Sequence, residues 1–107
     1  MTKNRVFIVD DHFVVRQGLS LIINQEEDLE VSGGAGDEPE ALEALVAQQP
    51  DVAIVDLSLK GGSGLDLIQY MNEHAPQIVK VIVSAHNEFE FAQRAVELHC
   101  FSYLLKP

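Results

Sequence analysis

Basic residues are scarce in this chain of 107: seven Lys and Arg stand against 17 Asp and Glu, a formal net charge of −10. Phosphate backbones are gripped by clustered Lys and Arg, so the balance argues against direct nucleic-acid binding by this chain. Anionic membrane surfaces are disfavoured for the same reason. Cysteine is nearly absent too. Cys100 stands alone, which rules out an internal disulfide framework and any multi-Cys zinc site. A chain without a pairing thiol suits a reducing cytosol. No apolar run approaches the roughly 20 residues that span a bilayer. The segment from Met1 to Asp11 turns acidic too soon to serve as a signal peptide. What is present, 47% hydrophobic and 22% charged residues, is the composition of one globular domain with a single core. The expectation is an acidic, cytoplasmic, single-domain protein.

Short β-rich apolar runs recur at Val6–Val9, Val52–Val55, Val79–Val83 and Phe101–Leu105. Their length suits buried parallel strands better than helices. A weaker run, Glu30–Ala35, with Gly33, Gly34 and Gly36 in or beside it, reads as an edge strand. Helical stretches with start signals lie between. The first begins just after Asp11 and runs to about Asn24. Asp37 and Glu40 have capping-box spacing before a stretch ending near Gln49, with Pro39 in its first turn. Ser63 with Asp66, and Asn87 with Glu90, repeat the spacing. Pro50 and Pro76 punctuate the second and third helices. The order β-α-β-α-β-α-β-α-β predicts an α/β fold, an open parallel sheet with helices on both faces.

In such folds ligands bind beyond the carboxyl ends of the strands, so the residues at those ends matter most. The first strand ends in Asp10-Asp11, the third in Asp56, the fourth in Ser84 and the fifth in Lys106, while the second brings only glycine and alanine. Carboxylates gathered in one crevice repel one another and call for a counter-charge. Mg²⁺, a hard cation that takes carboxylates, carbonyl oxygens and waters, supplies it. Lys106 adds a fixed positive charge that can pair with Asp56 or hold a phosphoryl oxygen. Ser84 offers a hydroxyl donor to the same group. Asp56 can then act as a nucleophile toward phosphorus, giving an aspartyl-phosphate. The bland alternative is that each Asp after a strand caps the next helix, but capping explains neither Ser84 nor Lys106.

Other features carry less. Gly61-Gly62-Ser63-Gly64 has no following Gly-Lys-Ser/Thr and reads as a loop into a helix. His12, His74, His86 and His99 lack metal-ligand spacing and read as solvated or packing residues. Cys100 reads as a small buried hydrophobe. The run from Glu26 to Glu43, eight acids and no base, reads as a solvated face.

VFIVDDH (Val6–His12), AIVDLSL (Ala53–Leu59), VIVSAH (Val81–His86) and SYLLKP (Ser102–Pro107) together resemble the receiver domain of two-component response regulators. The resemblance runs through essentially the whole chain. The stretch from Asp10 to Leu19, with Ser84-Ala85-His86, is most similar to the NarL/FixJ subfamily, whose members usually carry a C-terminal LuxR-type helix-turn-helix domain. The resemblance implies a flavodoxin-like doubly wound sheet of five parallel strands, order 2-1-3-4-5. It implies that Asp56 accepts a phosphoryl group from a sensor histidine kinase. Asp10, Asp11, Asp56 and the Ser58 backbone carbonyl would hold Mg²⁺, and Lys106 would contact the phosphoryl group. Ser84 and Tyr103 would form the switch, and Ala85 would leave phosphodonors access. Taken alone, Tyr103 reads first as an ordinary strand aromatic; the resemblance makes it part of the switch.

The sequence departs from the family in places. Lys60 stands where receivers usually have proline, His99-Cys100 where they have Gly-Ala, and Ser102 where they have glycine before the aromatic. Bulkier residues there bear on the motion linking Ser84 to Tyr103. The fifth helix of a receiver would follow Pro107, so residues 1–107 are expected to be a receiver stopped before that helix, with the output domain beyond. One sheet face is then expected to be partly uncovered, and homodimerisation is compatible with that. Two alternatives stay open: a phosphate-independent receiver acting as a protein-interaction module, and a Mg²⁺-dependent phosphohydrolase. The second lacks an acid two residues after Asp10, where His12 stands.

Overall fold

In the computed structural model, residues 3–56, 64–84 and 102–105 are described, with the backbone alone at 65, 84 and 102–105. Along the chain, β1 (Asn4–Val9) leads to α1 (Phe13–Asn24), β2 (Leu29–Ala35), α2 (Glu38–Gln48), β3 (Val52–Asp56), α3 (Gly64–His74), β4 (Val79–Ser84) and β5 (Ser102–Leu105). The helix expected after Asn87 falls outside the described residues.

All strand pairings are parallel. β1 lies between β2 and β3, and β4 follows β3. The backbone of β5 continues the sheet beyond β4, giving the order β2-β1-β3-β4-β5. The glycine-rich run at Glu30–Ala35 is the edge strand that its composition suggests. It is irregular: Val6 pairs with Val31 but Phe7 with Gly33, so Ser32 is an extra residue that bends the strand. Gly34 lies where a Cβ would come within 3.0 Å of the Ile8 carbonyl oxygen and 3.3 Å of Arg16 Cδ. Glycine fits there best, because a side chain would press on the neighbouring backbone.

The pleat of the two central strands divides the core in two. Phe7 and Val9 of β1, with Ala53 and Val55 of β3, face α2 and α3 and join Ala41, Leu45, Leu67, Ile68, Met71 and Ile82. Val6 and Ile8 face the other way, toward Ile23 and Leu19 of α1. Helices therefore cover both faces, which is why these strands read as unbroken apolar runs. Complete burial of each large aliphatic side chain contributes about 1.5–3 kcal/mol. Coverage on the α1 face is thinner, leaving Val52, Ile54, Val81 and Val83 half-buried. The outer side of α1 exposes Phe13, Val14, Leu21 and Ile22.

Helix α2 forms as its start signal predicts. Asp37 is the N-cap, its side chain accepting a hydrogen bond from Glu40 N at 2.9 Å. At the other end Gln49 turns left-handed (φ 46°) before buried Pro50. The acidic run exposes Glu26, Glu27, Asp28, Glu30, Glu40 and Glu43. Among the described residues no helix is long and apolar enough to cross a membrane.

Candidate functional site

The central strands end together. Val9 is level with Val55, so the next residues along the same register, Asp10 and Asp56, arrive side by side at the carboxyl edge of the sheet. Asp10 N donates to Ala35 O at 3.0 Å. That bond holds the chain in sheet geometry one residue past β1 and fixes where Asp10 points. Both carboxylates are buried, with 2% exposure at Asp10 and 3% at Asp56. Asp11 follows on the rim, its side chain 24% exposed.

The turn into α1 tightens the group. The His12 backbone N–H donates to Asp10 Oδ1 at 2.8 Å. Its ring Nδ1 lies 3.2 Å from the same oxygen and 2.8 Å from Asp11 Oδ1. Asp11 Oδ1 is nevertheless buried without a hydrogen-bond partner. One ligand atom from each of Asp10, Asp11, His12 and Asp56 lies within 4.8 Å of the others. At that separation two ionised carboxylates repel by roughly 3 kcal/mol even at an effective dielectric constant of about 20. A buried carboxylate oxygen that accepts no aligned hydrogen bond, in a crowd of like charges, fits a divalent cation bound by hard oxygen ligands.

Arg16 was not singled out in the sequence, yet it borders the site. One turn into α1, its guanidinium donates to the Asp10 carbonyl oxygen and lies 5.6 Å from the centre of the Phe13 ring. It passes over Gly36, where a Cβ would come within 3.2 Å of a guanidinium nitrogen. His12, which reads from the chain as a solvated or packing residue, is 66% exposed but has its ring against Asp10 and Asp11, a contact set by the turn and not by any histidine spacing.

Of the residues expected at the site, Asp10, Asp11 and Asp56 are brought together. The Ser84 backbone ends β4 on the same edge, one residue beyond Val83, the register partner of Asp56. The Tyr103 backbone stands in β5 opposite Ile82, and Ser102 opposite Val81. Ser58, Lys60, Ala85, His99, Cys100 and Lys106 lie outside the described residues, as does the loop of Gly61, Gly62 and Ser63.

A profile of the response regulator receiver domain matches residues 6–107. The chain belongs to that family. This receiver has the CheY-like α/β fold, and the family is a phosphoacceptor signalling module. The chain is 36% identical over 103 residues to the oxygen regulatory protein NreC of Staphylococcus haemolyticus (strain JCSC1435), covering 95% of this chain and 48% of that protein. It is 33% identical over 102 residues to the DNA-binding transcriptional activator DevR/DosR of Mycobacterium tuberculosis, covering 95% and 47%. Among solved structures, the isolated REC domain of RcsB from Salmonella enterica serovar Typhimurium, in the presence of the phosphomimetic BeF3⁻, superposes with a TM-score of 0.91. There the identity is 28%, covering 98% of this chain and 78% of that one. The receiver spans about half the length of the curated relatives it matches.

Proposed function

We propose that this receiver is phosphorylated on Asp56 by the phosphohistidine of a sensor histidine kinase, and that the modification switches an output domain encoded beyond residue 107. The observation that carries the reading is the convergence of Asp10, Asp11 and Asp56 at the ends of the two central strands. Mg²⁺, when bound, neutralises the crowded carboxylates and the charge that develops on the phosphoryl oxygens. Asp10, Asp11, Asp56 and the Ser58 carbonyl would hold it. A carboxylate oxygen of Asp56 forms the new bond to phosphorus while the bond from phosphorus to the kinase imidazole breaks. That imidazole nitrogen keeps the electron pair, and the product is an acyl phosphate.

Lys106 is assigned to a phosphoryl oxygen, Ser84 to a second one, and Ala85 to keeping the approach open. The added charge and acceptor oxygens draw the Ser84 hydroxyl inward, and Tyr103 follows. What supports these roles is that the Ser84 backbone ends β4 on the edge that carries Asp56, and that Ala85 and Lys106 follow β4 and β5 directly in the sequence. The complete domain is then a five-stranded flavodoxin-like receiver with a fifth helix after Pro107. DNA binding belongs to a C-terminal helix-turn-helix domain rather than to this acidic chain, in keeping with the printed description of DevR/DosR as DNA-binding. We assign the protein to the cytoplasm, where a soluble kinase domain can reach it, with homodimerisation as one way of passing on the switch.

Incubation with a small phosphodonor and Mg²⁺ tests the reading by intact mass. The wild type is expected to gain one phosphoryl group, lost in Asp56→Asn. An undiminished adduct in Asp56→Asn refutes the assignment.

A further inference from the structure

His12 has no part in the phosphoryl-transfer reading, yet its ring stands inside the acidic cluster. Nδ1 lies 2.8 Å from Asp11 Oδ1 and 3.2 Å from Asp10 Oδ1. Around an octahedral cation with bonds of about 2.1 Å, neighbouring donors are about 3.0 Å apart. The two distances bracket that edge length. The longer contact is a hydrogen bond and the shorter an ion-pair approach without hydrogen-bond alignment, to an oxygen that is buried. The ring is not engaged in capping α1. His12 is the N-cap residue, but its side chain makes no cap hydrogen bond. Its backbone is anchored on both sides, through N–H to Asp10 Oδ1 and through its carbonyl to Arg16 N at 3.1 Å. The ring is therefore presented to the acids by a fixed stretch of chain.

We propose that His12 Nδ1 is a nitrogen donor to the divalent cation held by Asp10, Asp11 and Asp56. This rests on the cation-site reading above. An all-oxygen site distinguishes poorly between Mg²⁺ and first-row transition ions of similar size. An imidazole donor adds far more to the binding of the latter, whose affinity for nitrogen rises along the series from Mn²⁺ to Cu²⁺. The consequence is a receiver whose preference for a nitrogen-seeking ion over Mg²⁺ is set by one residue at the mouth of the site. With its side chain 66% exposed, His12 can also be read as a solvated partner of the two acids. Such a residue acts on all divalent ions alike, which makes the two readings separable.

The experiment is a calorimetric titration of the protein with MgCl2 and, separately, CoCl2 at one pH, for the wild type, His12→Ala and Asp11→Asn. Alanine at position 12 removes no capping bond, so the fold is expected to survive. His12→Ala is expected to weaken Co²⁺ about tenfold while leaving Mg²⁺ within about twofold. The Co²⁺-loaded wild type is expected to show a hyperfine-shifted imidazole N–H proton that His12→Ala lacks. Asp11→Asn is expected to lose both ions. Equal weakening of both ions in His12→Ala, or persistence of the shifted proton there, overturns the nitrogen-donor proposal and leaves the cation site standing. Unchanged Mg²⁺ binding in Asp11→Asn overturns the cation site itself, and the proposal with it.

Discussion

Removing one charge from the acidic cluster is expected to stabilise the metal-free protein and to abolish its response to Mg²⁺. Asp11→Asn is the cleanest such change, since it keeps the size of the side chain. The replaced Oδ1 accepts no aligned hydrogen bond in the wild type, and its 2.8 Å contact with the His12 ring is part of what relieves the repulsion. Asp11 shares its 4.8 Å cluster with the carboxylates of Asp10 and Asp56. At an effective dielectric constant of about 20, each such pair repels by roughly 3 kcal/mol. Asp11 is 24% exposed, and nearby groups already relieve part of the repulsion, so a net gain of about 1–2 kcal/mol is the expected size. For a domain of this length each kcal/mol moves the melting midpoint by roughly 4–8 °C. In EDTA, Asp11→Asn should therefore melt roughly 4–16 °C above the wild type. Adding Mg²⁺ at about a hundred times its Kd stabilises whatever binds it by about 2.7 kcal/mol. That should lift the wild type past a variant that no longer binds. The assay is a pair of thermal or urea denaturation curves, with and without Mg²⁺. A lower midpoint for Asp11→Asn in EDTA, or equal stabilisation of both proteins by Mg²⁺, refutes the electrostatic account.

Two further changes probe the scaffold that positions the site. Asp37→Ala removes the side-chain cap of α2, the bond to Glu40 N, and is expected to cost about 1 kcal/mol in a urea titration while leaving Mg²⁺ affinity unchanged. Gly34→Ala drives a Cβ to 3.0 Å from the Ile8 carbonyl and 3.3 Å from Arg16 Cδ. Arg16 can shift but the β1 backbone cannot, so a loss of roughly 1–3 kcal/mol is expected. Arg16 also donates to the Asp10 carbonyl, so weaker Mg²⁺ binding should accompany the loss. An unchanged urea midpoint would show that the edge strand has more room than its packing implies.

The strands were legible because burial on both faces leaves little room for polar residues. Val6–Val9 and Val52–Val55 read as apolar runs for that reason, and they sit at the centre of the sheet. The convergence of Asp10 with Asp56 was legible too, since parallel strands that end together deliver their next residues to one edge. The bulge at Ser32 was not, because a single extra residue in an edge strand leaves the apolar alternation almost unchanged. The places of His12 and Arg16 at the site were not legible, for a related reason. Both are placed by the sharp exit from β1 into α1, where the hydrogen bond from His12 N to Asp10 Oδ1 sets the turn. That geometry follows no period of strand or helix, so residues two and six positions after Asp10 carry no signal of proximity in the chain alone.

One local signal, an aspartate between a strand and a helix, produces two different outcomes in this fold. Asp37 follows β2 and caps α2, as the simplest reading of such a residue holds. Asp10 follows β1 and does not occupy the cap position of α1, which belongs to His12. The difference lies in the neighbours. β2 is the outer strand, and among the described strands β1 is the one beside it, so no neighbouring strand sets an acid against Asp37 as β3 does against Asp10, and its carboxylate accepts from the Glu40 amide. β1 is flanked by β3, and the register that pairs Val9 with Val55 sets Asp10 against Asp56. Asp10 also accepts a backbone N–H, from His12, but it stands in a group of carboxylates that repel by roughly 3 kcal/mol at 4.8 Å. The pair is tolerated where a cation or ammonium group can enter. Strand order therefore decides which aspartate becomes a cap and which becomes part of a reactive site.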